Sequence, residues 1–444
     1  MLLILFSFFL NSVPVDSFVH SLWGDKEIPI FLYFKFKNFP ISLKIDWGDG
    51  KIESLEVKWI IYEAEHKYEK PGKYVIKIKI GKDYFISTDT VTIFEEIFIG
   101  KINLEDMVYG SCAIDKEENL YIGDVKGNFY SFNLLGQKRF KFSTEGEIYG
   151  SPIVVDTLVY FGADSFLYCL TKNGKLVFKN KLSGKIYNTP AFLAPDKIAV
   201  ASDDGNLYIF SLLGKKIREI KFPAELSDIS VDEKNNLIFS CGAHIYSLNS
   251  KGKINFKFHS LEEEDFFPPP IITRDYIICG CEDGYLYFLD KKKGRLIKRV
   301  ATFDEDGIKG EPVIDEEGKI YFGDDGGKFY VYDGRLISLF EAEDGIISSP
   351  LIIKKDNKKI IFFLDEMGYL YALNEKGNVL FKIEISSTDK DLYQTPSFLF
   401  VKEKLIIPSW DGYLYAFRIE GELIKSEWYT YRANFFRNGK INRN

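Results

Sequence analysis

An all-β fold assembled from repeated four-stranded units is the architecture this sequence predicts, and three observations predict it. The 444-residue chain is 16% aromatic, with 39 Phe and 27 Tyr against only 3 Met, a balance that favours strands over helical bundles. Short runs of alternating apolar and polar residues, bounded by Gly and Pro, recur along the whole length. From Phe98 onward one unit repeats, and its most regular member is a tyrosine: Tyr130, Tyr168, Tyr208, Tyr246, Tyr287, Tyr330, Tyr371 and Tyr415 follow one another at spacings of 38 to 44 residues. Equal spacing on this scale is the mark of a repeat architecture, and 46% hydrophobic residues suffice for more than one core.

The chain opens with an apolar run, Met1 to Leu10, followed by Val15-Asp16-Ser17, whose modest residues suit a signal-peptidase site. Ten residues are too few to span a bilayer, and no later stretch is long enough. No cysteine follows the run to carry a lipid. Residues 1–21 are therefore expected to be an export signal, with cleavage left open.

Residues 24–95 alternate in strand fashion, as in Ile30-Phe31-Leu32-Tyr33-Phe34-Lys35-Phe36 and Tyr74-Val75-Ile76-Lys77-Ile78-Lys79-Ile80. Between these runs lie Asp46-Trp47-Gly48-Asp49-Gly50 and His66-Lys67-Tyr68-Glu69-Lys70-Pro71-Gly72-Lys73-Tyr74. Gly48 and Gly50 allow the positive φ of a tight turn, and Pro71-Gly72 reverses the chain into the next strand. The two segments resemble the hallmarks of the polycystic-kidney-disease (PKD) module, an immunoglobulin-like sandwich with an aromatic-Gly-Asp-Gly turn and a His-x-Tyr-x-x-Pro-Gly-x-Tyr motif. That resemblance implies a spacer or a protein- and carbohydrate-contacting module. Asp46 and Asp49 are either calcium ligands or, more simply, caps on turn amides.

Each later repeat reads as a small-residue stretch ending in Ser/Thr-Pro, an apolar strand, a strand ending in Gly, a tight turn, the Tyr strand, and a further Gly turn before one more strand. The turns include Lys126-Gly127, Asp204-Gly205, Asp283-Gly284 and Asp411-Gly412. Four strands in about 40 residues make a propeller blade, so residues 97–430 are expected to form eight blades, with 431–444 as a tail. The fourth unit lacks the acidic-Gly turn, and a shortened hairpin is expected there. Tyr369-Leu370-Tyr371-Ala372-Leu373-Asn374-Glu375-Lys376-Gly377 closely resembles the repeat of pyrroloquinoline-quinone (PQQ)-like propellers. Either the strand near Phe98 to Asn103 or the one near Leu423 to Trp428 completes the last blade.

Function has to be sought in side chains, since a propeller hosts many. A formal charge of −7 argues against a nucleic-acid surface. The quinone-dependent dehydrogenases that share these repeats use adjacent cysteines, a calcium site and a Trp late in most repeats; here there is no Cys-Cys pair, and only Trp410 and Trp428 fall in the propeller. Neither a quinone nor any other cofactor is expected. Cys112, Cys169, Cys241, Cys279 and Cys281 have no framework spacing and read as structural thiols. His20, His66, His244 and His259 have no ligand spacing, so no metal site is expected. Asp124, Asp203, Asp324 and Asp365 recur near one turn, where repetition points to turn chemistry and not to a catalytic pair.

The remaining feature is aromatic. Tyr109, Tyr149, Tyr187, Phe267 and Tyr393 each stand two or three residues before the Ser-Pro-like position. Equal register puts them at one end of their blades, either packed between blades or exposed around the channel mouth as a binding face. The expected function is that of an extracytoplasmic, monomeric, non-catalytic scaffold for a protein or polysaccharide of the cell envelope, similar in architecture to the propeller lipoproteins of outer-membrane barrel assembly. The alternatives are a PQQ-dependent dehydrogenase and a cell-surface polysaccharide-binding protein.

Overall fold

The computed structural model describes residues 15–20, 23–24, 30–36, 40–58, 61–70, 72–82, 84–87, 91–93, 98–385 and 397–424. Met1 to Leu10, Trp428 and the tail from residue 431 lie outside them.

The N-terminal region folds as two facing sheets. One orders Val15–His20, Ile30–Phe36 and Ile61–His66; the other orders Ile52–Val57, Ile41–Asp46, Lys77–Ile80 and Tyr84–Ser87. Period-two alternation sends Leu32, Phe34 and Phe36 from the first sheet and Leu43, Ile45, Ile78 and Ile80 from the second into one buried core. A small third sheet orders Trp23–Gly24, Val91–Ile93 and Gly72–Tyr74. Val15–His20 falls within the expected signal segment, yet it is the edge strand of the first sheet, with Phe18 opposite Phe34. The apolar run is a local signal, whereas this edge pairing is a property of the folded sheet.

Residues 98–424 form eight consecutive antiparallel sheets among the described residues. The first six run in chain order; the first consists of Ala113–Ile114, Leu120–Gly123, Asn128–Phe132 and Lys138–Ser143. The initial strands of neighbouring sheets touch one another, which makes them the inner wall of a ring. Inner and middle strands are buried almost throughout, while the outer strands, such as Lys138–Ser143 and Leu176–Lys181, expose alternate residues. Faces of adjacent sheets pack by aromatic stacking, with Phe129 and Phe161 at 3.9 Å and Phe329 and Phe363 at 4.4 Å between ring centroids.

Where a glycine stands at or next to the end of a second strand, as in four of the sheets, it has a packing cause. A Cβ at Gly123, Gly162, Gly280 or Gly323 would collide with Ile148, Ile186, Ile308 or Ile346, which the chain lays over it on the way into the next sheet. In the fourth sheet the second and third strands are separated by two residues, where the first sheet has four, so the hairpin is short there; the second sheet shares this economy at Asp164-Ser165.

Closure comes from the N-terminal side. Phe98–Asn103 pairs with Tyr413–Arg418 and is the outer strand of the eighth sheet, whose other strands are Leu399–Val401 and Lys404–Pro408. Glu422–Leu423 instead joins the seventh sheet, antiparallel to its inner strand Leu351–Lys355, through Ile353–Leu423 and Lys354–Glu422. The sandwich rests against the outer strand of that same sheet, Val379–Glu384, through Val15–His20 and Trp23–Gly24.

Candidate ligand-binding mouth of the channel

Between an outer strand and the next inner strand the chain crosses one end of the ring, and these crossings build the mouth. Register places Tyr109, Tyr149, Tyr187, Ser227, Phe267, Lys309 and Ile347 at equivalent points of the first seven sheets. The eighth equivalent, Tyr393, lies outside the described residues. All seven line a single cavity of about 330 Å³. Tyr109, Tyr149 and Tyr187 are half-buried, and Phe267 is 40% exposed.

Small residues let the crossings approach. A Cβ at Gly110 would lie 2.8 Å from the Gly150 carbonyl oxygen, and one at Gly150 would lie 2.6 Å from that of Asn188. Below them a belt of hydrogen bonds joins sheet to sheet: the Ser397 amide donates to Ser111 Oγ at 2.7 Å, the Ser111 amide to Ser151 Oγ at 2.8 Å, and the Thr189 amide to Asp228 Oδ1 at 2.7 Å. The Ser/Thr of the repeated Ser/Thr-Pro element is thus partly an inter-sheet clasp.

Three tyrosine rings form an arc, with centroids 5.3 Å apart from Tyr109 to Tyr149 and 5.1 Å from Tyr149 to Tyr187. Burial, aided by a hydrogen bond to Glu147 Oε2 at 3.1 Å, pushes the Tyr149 phenol up to about 12. The facing arc is polar and acidic, with Glu225, Asp228, Asp265 and Glu311 beside Lys309. Glu225 is exposed at the rim, but the surrounding walls of the mouth withdraw part of its water and raise its carboxyl, and nearby Asp203 adds to the effect. Lys309 pairs with Asp325 at 2.7 Å.

The recurring aspartates are engaged elsewhere. Asp124 Oδ2 accepts from Tyr130 Oη at 2.9 Å, Asp324 Oδ2 from Tyr330 at 2.7 Å, and Asp365 Oδ2 from Tyr371 at 2.9 Å, while their Oδ1 atoms accept turn amides. Tyr130 and Tyr330 also receive the amides of Glu105 and Phe303 from the incoming crossing. The constant Asp-to-Tyr spacing of six residues was a readable signal for this pair, and the repeat pattern alone missed it. Asp203 departs from the set: it accepts the Lys185 amide at 2.7 Å, and Asp204 takes the turn position.

In the sandwich, Asp46 and Asp49 accept the amides of Gly48 and Lys51, each at 3.0 Å, and Asp49 also bonds His66 Nε2 at 2.8 Å. His66 stacks on Trp47 at 4.8 Å, and Tyr68 donates to the Trp47 carbonyl at 2.6 Å, so the two sequence motifs form one cluster. Gly48 and Gly50 have φ of 83° and 95°. Among the described residues no group of three or more His, Cys, Asp or Glu is arranged to hold a metal ion, and no helix is long and apolar enough to cross a membrane. All five cysteines are buried and none is in a disulfide, and burial pushes the Cys169 thiol up to about 12.

No family model matches the chain. Over 143 residues it is 24% identical to the outer membrane protein assembly factor BamB of Shewanella oneidensis, covering 32% of this chain and 35% of that one, so the chain spans about a third of the length of the curated relative it matches. Among solved structures, BamB of Moraxella catarrhalis superposes with a TM-score of 0.59 at 14% identity, over 73% of this chain and 97% of that one. Sqt1 of Saccharomyces cerevisiae gives a TM-score of 0.60 at 13% identity over 74% and 100% of the two chains. The computationally designed protein Ika8 gives 0.60 at 14% over 73% and 100%. The similarity to these structures is one of fold, and together with the ring of antiparallel sheets it identifies this chain as an all-β protein with a β-propeller fold.

Proposed function

We propose that the chain is an exported, non-catalytic scaffold: a PKD-type sandwich followed by an eight-bladed propeller of PQQ-like repeats, binding a protein of the cell envelope through the mouth of its channel. The observation that carries this reading is the mouth itself, where an arc of half-buried tyrosines borders a cavity while the recurring aspartates are occupied in turns. Eight consecutive sheets, one per repeat, support the blade count. The PKD reading is supported by the cluster of Trp47, Asp49, His66 and Tyr68. Export is supported by the apolar run at Met1 to Leu10 and by the envelope role in the name of the BamB relative.

Crosslinking in the native envelope tests the reading. A Tyr149→Ala/Tyr187→Ala protein should lose capture of the partner while its thermal transition stays near that of the parent. Unchanged capture would overturn the binding face, as would a cost of about 3 kcal/mol or more at each position, the value for deleting a buried aromatic.

A further inference from the structure

We infer that the mouth receives an extended polypeptide segment that presents a lysine or arginine side chain, an inference that rests on the scaffold reading above and adds the chemistry of its ligand. The cavity is divided by charge. Tyrosines line it over the first three sheets, and carboxylates line it over the fourth to sixth: Glu225, Asp228, Asp265 and Glu311. Among the described residues Lys309 is the one ammonium of the lining, and it is paired with Asp325 at 2.7 Å, so the described lining is net acidic. Asp228 is engaged by the Thr189 amide and Glu311 is 2% exposed, so Glu225 and Asp265, exposed in the mouth, are the carboxylates an entering cation meets, and partial withdrawal from water strengthens their attraction.

The aromatic arc suits the same ligand. Successive rings are inclined by 51° and 80°, which offers no flat platform for a sugar ring but presents ring faces and edges at several angles to a cationic head. The molecule uses this contact elsewhere, with Lys101 Nζ 3.8 Å above the Tyr413 ring and the Arg299 guanidinium 4.0 Å above that of Tyr285. Size narrows the ligand further. About 330 Å³ is near the lower end of ligand-pocket volumes, enough for side chains of a strand but not for a folded domain.

The test uses the full chain and three short fluorescein-labelled peptides, alternating Arg with Ser, Glu with Ser, and Gly with Ser, read by fluorescence anisotropy. The Arg/Ser peptide should bind saturably and the other two should not. Glu225→Gln/Asp265→Asn, both at exposed positions, should weaken it about tenfold or more, in the range for losing charge pairs at an interface. Glu117→Gln/Glu118→Gln, at the opposite end of the ring, should leave it unchanged. Equal binding of the Glu/Ser peptide, equal loss in both double variants, or saturable binding of chito-oligosaccharide without binding of the Arg/Ser peptide would each overturn the inference. Should the peptide fail while Tyr149→Ala/Tyr187→Ala still abolishes envelope capture, the cationic class falls and the scaffold reading stands; unchanged capture removes both.

Discussion

Asp365 is a buried carboxyl whose ionisation opposes its surroundings. It is 1% exposed, and burial lifts its carboxyl from the ordinary 3.8 to about 6 despite hydrogen bonds from the Tyr369 amide and Tyr371 Oη. Its folded-state value lies above its unfolded one, so the folded chain holds this proton more tightly than the unfolded chain does. The contribution to stability is complete below 3.8 and is lost as pH rises through about 6. Asp365→Asn cannot ionise and keeps an acceptor for the turn amide. The stability of the parent relative to this variant should therefore fall between pH 4 and about 6 and then level off. Urea titrations at several pH values would check this, and a difference that stays constant or rises with pH would contradict it.

At the scale of elements, what matters is how closely successive crossings can approach at the mouth. A Cβ at Gly150 would meet the Asn188 carbonyl oxygen at 2.6 Å, backbone that cannot swing aside, so Gly150→Ala should cost about 1–3 kcal/mol, seen as a lower denaturation midpoint with an unchanged slope. Much of this level was legible in the sequence. The anchor tyrosines mark the third strand of every sheet, and Tyr130, Tyr287, Tyr330, Tyr371 and Tyr415 each donate to an aspartate of the preceding turn, four or six residues earlier. The Gly-Asp-Gly turn and the His-x-Tyr segment were equally legible, since each needs particular residues to make its bonds. Pairing partners were not. Val15–His20 and Glu422–Leu423 are strands only because an edge elsewhere in the fold offers unpaired amides, and no local pattern encodes that edge. The mouth was half legible: the register of Tyr109, Tyr149, Tyr187 and Phe267 followed from the repeat, but the acidic arc opposite did not, because only Glu225 and Asp265 share an offset, two residues before the mouth position, while Asp228 and Glu311 follow it at offsets of their own.

For the whole molecule, the decisive contact is the one between Phe98–Asn103 and Tyr413–Arg418. A chain starting at Glu96 keeps that strand and should unfold cooperatively, with some stability lost where the sandwich no longer covers Val379–Glu384. A chain starting at Leu104 loses it and bares the edge of Tyr413–Arg418, and should aggregate or melt well below the Glu96 version. Size-exclusion chromatography with thermal melts distinguishes them; equal behaviour would mean that the ring does not depend on this clasp. The order of synthesis gives the clasp a further meaning. Asn103 emerges roughly 310 residues before its partner Tyr413, so the half of the latch made first is the half used last. The sandwich, complete before the latch, is free to fold while the ring is still an open arc with unpaired amides at both ends. A nascent chain in that state is a folded head on a sticky, unfinished crescent, and its hazard lasts until the strand Tyr413–Arg418 arrives and finds the one edge that has waited for it.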